Sequence, residues 1–165
     1  MTMLRTIFLA LGLACSAAAH AQQATLAVRT ITPEAALKAA SAALAACSRS
    51  GYQVAVAVVD RSGVPLVMLR DRFAGPHTPD TATGKAWSAL SFKIDTLGLQ
   101  RMTQPGEAAA GIRNLPHVVA VGGGRMIESG GALVGGIGVS GAPGGDADDA
   151  CAKAGLAAVA EDLEF

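Results

Sequence analysis

The sequence predicts a mixed α/β protein, with helices flanking a largely antiparallel sheet, and three observations predict it. A capped, alanine-rich helix opens at Thr32-Pro33-Glu34. Two short apolar runs, 53–60 and 64–70, are joined by the tight reversal Arg61-Ser62-Gly63. Eleven of the 20 glycines lie between Gly122 and Gly145, just ahead of the acidic helix start Asp146-Ala147-Asp148-Asp149. Strands joined by tight turns pair antiparallel, and a strand apolar on both faces needs cover on both sides.

The amino terminus reads as a cleaved secretory signal peptide over residues 1–21. Arg5 supplies the positive start, Ile7 to Ala14 the short apolar run, and Ala19-His20-Ala21 the small-x-small cleavage site. Cys15 lacks the branched apolar residue of a lipobox three positions earlier, where Gly12 stands, so no stable membrane anchor is expected. Cleavage after Ala21 leaves a single domain of 144 residues, 22–165, which is expected to be periplasmic or secreted.

The elements follow in order. Thr32 is a hydroxyl cap, Pro33 occupies the first helical position, and Glu34 sits against the helix dipole. The helix that follows places Leu37, Ala40, Leu44 and Cys47 on one stripe and ends before Gly51. Residues 53–60 form a strand covered on both faces, and 64–70 its antiparallel partner. After a loop broken by Gly75-Pro76 and Thr78-Pro79, Asp80 starts a second helix to Phe92 with Thr83, Trp87, Leu90 and Ile94 at helical spacing. Residues 95–114 read as short helical turns. Strands are expected at 117–121, 125–128 and 132–139. In the last of these Leu133, Ile137 and Val139 fill one face, and Gly136, Gly138 and Ser140 leave the other almost bare for a close neighbour. A closing helix over 146–162 carries Ala152, Leu156, Val159 and Leu163 on one side and the small residues Cys151, Gly155 and Ala158 on another.

Without Arg5 the chain carries twelve basic and thirteen acidic side chains, and aromatics make up 4% of it. No basic stripe exists, so nucleic-acid binding is not expected. Cys47 and Cys151 either pair across a loop of about a hundred residues or remain buried thiols, and the sequence leaves both open.

One ordered set of segments carries a resemblance: Val56-Ala57-Val58-Val59-Asp60-Arg61-Ser62-Gly63, Leu69-Arg70-Asp71, Ala74-Gly75-Pro76-His77-Thr78, Gly84-Lys85-Ala86, Leu115-Pro116 with Gly122-Gly123-Gly124, and Gly135-Gly136-Ile137-Gly138-Val139-Ser140-Gly141. In this order, over roughly residues 30–160, the chain resembles the GlcG/HbpS-like haem-binding family. The resemblance implies a profilin-like α/β/α sandwich around a five-stranded antiparallel sheet. It also implies assembly into symmetric homo-oligomers and, as in several members, noncovalent haem binding with a part in haem handling or redox sensing.

A haem site needs an axial ligand, an apolar slot and cations for the propionates. Two histidines follow the leader, His77 and His117. His77 is the favoured iron ligand, since its loop lies between Arg70 and Arg72 on one side and Lys85 on the other. Those three cations are the candidate propionate partners, and Gly136 and Gly138 the candidate backbone surface. His117, Met68, Met102 and Met126 are lesser ligand candidates, and Tyr52 reads as packing. No Cys-x-x-Cys-His occurs, so attachment by c-type chemistry is excluded.

Gly136-Ile137-Gly138-Val139-Ser140-Gly141 has dinucleotide-loop spacing, but no strand follows its helix. Ser140 lacks a nucleophile-elbow context, the histidines and cysteines lack zinc spacing, and the aspartates at 146–149 fit a helix start. The chain is therefore read as more binding protein than enzyme. Two alternatives remain: an accessory protein or enzyme holding a small carboxylate or carbonyl compound through Arg70 or Arg72 with His77 exchanging protons, and an oligomeric scaffold without a ligand.

Overall fold

The computed structural model describes residues 24–164, so the leader expected over 1–21 lies outside the described residues. The elements run α1 (Pro33–Arg49), β1 (Ala55–Asp60), β2 (Pro65–Arg70), α2 (Thr78–Phe92), α3 (Thr96–Met102), a 3-10 turn (Ala110–Asn114), β3 (Gly124–Ser129), β4 (Ala132–Ser140), α4 (Gly145–Ala157) and a last 3-10 turn (Glu161–Leu163). As its sequence dictates, α1 starts with the Thr32 hydroxyl accepting from the Ala35 amide, and Pro33 follows it.

The strands form one open antiparallel sheet in the order β2-β1-β4-β3. The sheet has four strands, which corrects the expected five. Residues 117–121, read as a strand, are not one. His117 has a positive φ of 67°, which breaks the extended run, and the Val119 amide donates to the Ser88 hydroxyl on α2 at 2.9 Å. The outer edge of β3, where a fifth strand would pair, is satisfied by side chains instead. The Gly124 amide donates to Thr96 Oγ1 at 2.7 Å, the Thr96 hydroxyl returns a bond to the Gly124 carbonyl, and the Met126 amide donates to Asp95 Oδ1 at 3.3 Å. Covering an edge this way removes the template that invites another strand.

Helices lie on both faces of the sheet. Val56, Val58, Ile137 and Val139 point toward α1 and α4, with Ala36, Ala39, Ala43, Ala152 and Val159 closing over them. Each fully buried Val or Ile here stabilises by about 1.5–3 kcal/mol relative to exposure. Ala55, Ala57 and Val59 point the other way, to Ala82, Ala86 and Leu90 of α2.

Two stripe assignments shift. In α1 the buried positions are Ala36, Ala39, Ala40, Ala43 and Cys47, while Leu37 is 50% exposed, because the small residues bring α1 close to the sheet and α4. In β4 the register slips at Val134, opposite the Ile127/Glu128 pair, and this turns Leu133 to the α2 face, against Val59 and Leu90.

The bare face of β4 meets α2. A Cβ on Gly136 would lie 2.6 Å from the Ala86 carbonyl oxygen, and one on Gly138 would run into the Ala82 carbonyl. The glycines therefore let helix and strand backbones touch. On the opposite face Cys47 and Cys151 are joined, with Cα atoms 5.5 Å apart, so the pairing that the sequence left open is a disulfide linking α1 to α4.

Candidate functional site

Helix α2 has two different faces. Its inner face is built of Ala82, Lys85, Ala86 and Ala89, small apart from the lysine, and lies on β4 and β1. Its outer face carries Asp80, Thr83, Gly84 and Trp87 at three- and four-residue spacing, which aligns them along one side. Thr83 and Trp87, which the sequence put at helical spacing with Leu90 and Ile94, belong to this outer side, whereas Leu90 is buried; the glycine surface of β4 accepts the small residues.

The outer face forms one wall of a groove of about 670 Å³. The hairpin residues Gly63 and Pro65 bound it on one side, and His117, Val118 and Val119 on the other. Its size lies within the roughly 300–1,000 Å³ of small-molecule sites, and its wall is mostly apolar with few polar groups, as such sites are. The Trp87 and His117 rings stand 6.0 Å apart at centroids and tilted by 56°. His117 itself is exposed, so its ring nitrogens are open to a ligand. By the strand register, Pro65, Met68 and Arg70 lie on the α2 side of β2, opposite Val59, Ala57 and Ala55, and Met68 is 39% exposed.

His77 occupies the position immediately before α2, with no side-chain cap bond. It is exposed and stands one turn ahead of Asp80 on the same stripe. Arg70 and Arg72 border the same end. The Arg70 guanidinium donates to the Ala74 carbonyl at 2.8 and 3.2 Å, and Arg72 lies 6.0 Å over the Phe73 ring, which is 78% exposed. His77, Arg70 and Arg72 thus all lie around the amino-terminal end of α2.

Lys85, Gly136 and Gly138 do not join them. The two glycines are sealed under α2. Lys85 is 1% exposed, and its ammonium donates to Asp148 Oδ2 at 2.7 Å and to the Val139 carbonyl at 2.9 Å. The Ala142 amide donates to the other Asp148 oxygen, Oδ1, at 2.9 Å. Burial, partly offset by the partner's charge, pushes Lys85 below its ordinary 10.5 and Asp148 above its ordinary 3.8. This pair ties α2 to β4 and α4 and is an internal clamp. A second network holds β3: Arg125 pairs with Asp95 at 3.0 Å and with Asp149 at 3.0 Å, and Lys153 reaches Asp149 at 3.3 Å. The aspartates at 146–149, read as a helix start, thus include two that are buried with cationic partners.

Another cavity, about 390 Å³, lies under the start of α1 near Ile31 and Val134, where Lys38 pairs with Asp162 at 2.8 Å. It contains no histidine. Among the described residues no cluster of His, Cys, Asp and Glu is arranged for a metal ion, and no helix is long and apolar enough to cross a membrane.

Sequence reasoning ranked His117 below His77 and gave Trp87 no role beyond its helical spacing. The signal for this pairing was the turn Leu115-Pro116-His117: the His117 carbonyl and the Val119 side chain land on Gly84, one turn before the single tryptophan.

The sequence pattern of the HbpS-like family, described as haem degrading protein HbpS-like, matches residues 31–157. Among solved structures, a double mutant of HbpS from Streptomyces reticuli is similar at 37% identity and a TM-score of 0.78, covering 94% of this chain and 97% of that one. A structure described as a PduOC:heme complex is similar at 30% identity and a TM-score of 0.74, covering 78% and 94%. The corrinoid adenosyltransferase PduO of Salmonella typhimurium is 37% identical over 90 residues, but these span only 27% of its length. An uncharacterised 15.0 kDa protein of Citrobacter freundii is 33% identical over 116 residues and covered for 82% of its length.

Proposed function

The chain belongs to the HbpS-like family, and from that premise we propose that it binds haem noncovalently in the groove on the outer face of α2. One observation carries the reading: a groove of about 670 Å³ whose mostly apolar wall holds an exposed imidazole, His117, beside the Trp87 ring. The donor set suits the group, since a neutral imidazole nitrogen is a common proximal ligand of haem iron and an apolar wall suits the macrocycle. The similarity to a haem complex of PduOC supports the same ligand.

In this reading His117 would ligate the iron, and His77, at the other end of the stripe, is the alternative. Trp87, Val118 and Val119 would supply the apolar wall that excludes water. Arg70 and Arg72, beyond the groove lining at the amino-terminal end of α2, would offer charge-assisted hydrogen bonds to the propionates. Bound haem would supply its own redox chemistry, which the ligand and the polarity of the wall tune. The protein would be exported, in keeping with a disulfide, which persists in oxidising compartments. Self-association is part of the proposal, supported by the exposed apolar side chains of Val64, Leu66, Met68 and Phe73.

The test is a titration of the purified mature protein with haemin, followed by visible absorption. A saturable Soret band at one haem per chain, weakened by salt and by replacing both Arg70 and Arg72 with Gln, supports the reading. Absence of a saturable band overturns it and returns the groove to a small carboxylate or carbonyl compound.

A further inference from the structure

The turn that carries His117 is not held by the sheet. Residues 118–120 form no strand, and the backbone at His117 lies in the left-handed region at φ 67°. A side chain rarely adopts that conformation unless neighbouring contacts over-determine it. Two contacts do so here, both from α2. A Cβ on Gly84 would stand 2.5 Å from Val119 Cγ2 and 3.2 Å from the His117 carbonyl oxygen, so the turn lies directly on the helix backbone. One turn further along α2, the fully buried Ser88 accepts the Val119 amide at 2.9 Å.

We infer that Gly84 and Ser88 are positioning residues that dock the 117–119 turn on α2 and so aim the His117 imidazole into the groove beside Trp87. This rests on the haem reading only for its consequence; the docking is a property of the free protein. Gly84 supplies the absence of a side chain, without which the turn would move outward by the width of a methyl group. Ser88 supplies the acceptor that an amide outside any strand requires. Ser88 is buried behind the groove, and Gly84 meets it only as bare backbone. The pair thus makes α2 the support of a residue borne on a different segment, and residues that orient a metal ligand from behind typically carry 10–100-fold in metal affinity.

The experiment compares wild type, Gly84→Ala, Ser88→Ala and the double variant Gly84→Ala/Val119→Ala. The double variant removes Val119 Cγ2, the 2.5 Å contact, and leaves only the His117 carbonyl at 3.2 Å and Val119 Cβ at 3.4 Å. In free protein, a nuclear Overhauser contact between the His117 and Trp87 rings reports the docking, with His117→Ala identifying the resonance. The expected result is loss of that contact in Gly84→Ala and Ser88→Ala and its return in the double variant, with circular dichroism unchanged throughout. With haemin, affinity is expected to fall about 10–100-fold in both single variants, while the double variant is read by the ring contact alone, since Val119 itself lines the groove.

A Gly84→Ala protein that keeps the ring contact and wild-type affinity overturns the positioning role while leaving haem binding intact. A wild type that takes up no haem, yet loses and regains the ring contact across the series, overturns the haem reading and leaves the positioning role standing.

Discussion

His117 and Lys85 show how differently two polar residues of one fold are used. His117 is exposed, in a backbone conformation that is held by its neighbours, and stands against the only tryptophan. Lys85, which sequence proximity put beside His77, faces inward because position 85 lies on the inner side of α2, where Asp148 waits. A charge on a helix next to a binding loop gives no sign of which face it occupies until the sheet's bare surface is known. Removing one partner strands the other charge and should cost about 3–5 kcal/mol, whereas Lys85→Met with Asp148→Leu should cost far less. Urea unfolding of the single and double variants checks this.

The pH dependence has a defined sign. Folded Asp148 keeps a proton that the unfolded chain has released just above 3.8, so wild type gains on the double variant as pH falls toward 3.8. Folded Lys85 releases a proton that the unfolded chain still holds below 10.5, so wild type also gains as pH rises toward 10.5. A difference that peaks at intermediate pH contradicts the assignment.

Among the elements, β4 and α2 are the best-read part of the sequence. Gly136 and Gly138 announced a close neighbour, and the neighbour is the α2 backbone at Ala82 and Ala86. The expected consequence is that Gly138→Ala, which sets a methyl group against the Ala82 carbonyl, costs roughly 1–3 kcal/mol or more by overpacking. Thermal unfolding measures it, and a neutral result means that helix and strand are not in contact. The expected fifth strand was the least legible element. Val118 to Val121 has strand composition, but pairing depends on an open edge, and the edge of β3 is already occupied by Asp95 and Thr96 from a distant part of the chain. No local pattern records that competition. Likewise Leu133 was misplaced because one extra residue at Val134 reverses every later side, which periodicity alone does not reveal.

For the molecule as a whole, the Cys47–Cys151 bridge spans 104 residues and joins the first helix to the last. In the chain-entropy model such a loop stabilises by about 4.7 kcal/mol. Unfolding by urea should therefore shift to much lower concentration under reducing conditions, while an unchanged midpoint means that the bridge does not form in solution. Composition and turn signals made the layered architecture readable, because burial and chain reversal are local in their causes. The groove was not readable, since its walls come from residues 63–65, 80–87 and 117–119. The measurement closest to the central claim is a haemin titration of His117→Ala beside His77→Ala, followed at the Soret band. The groove account predicts a shifted or abolished band in His117→Ala and a retained one in His77→Ala. The reverse pattern, with His117→Ala binding as wild type does, contradicts it and moves the ligand to the amino-terminal end of α2.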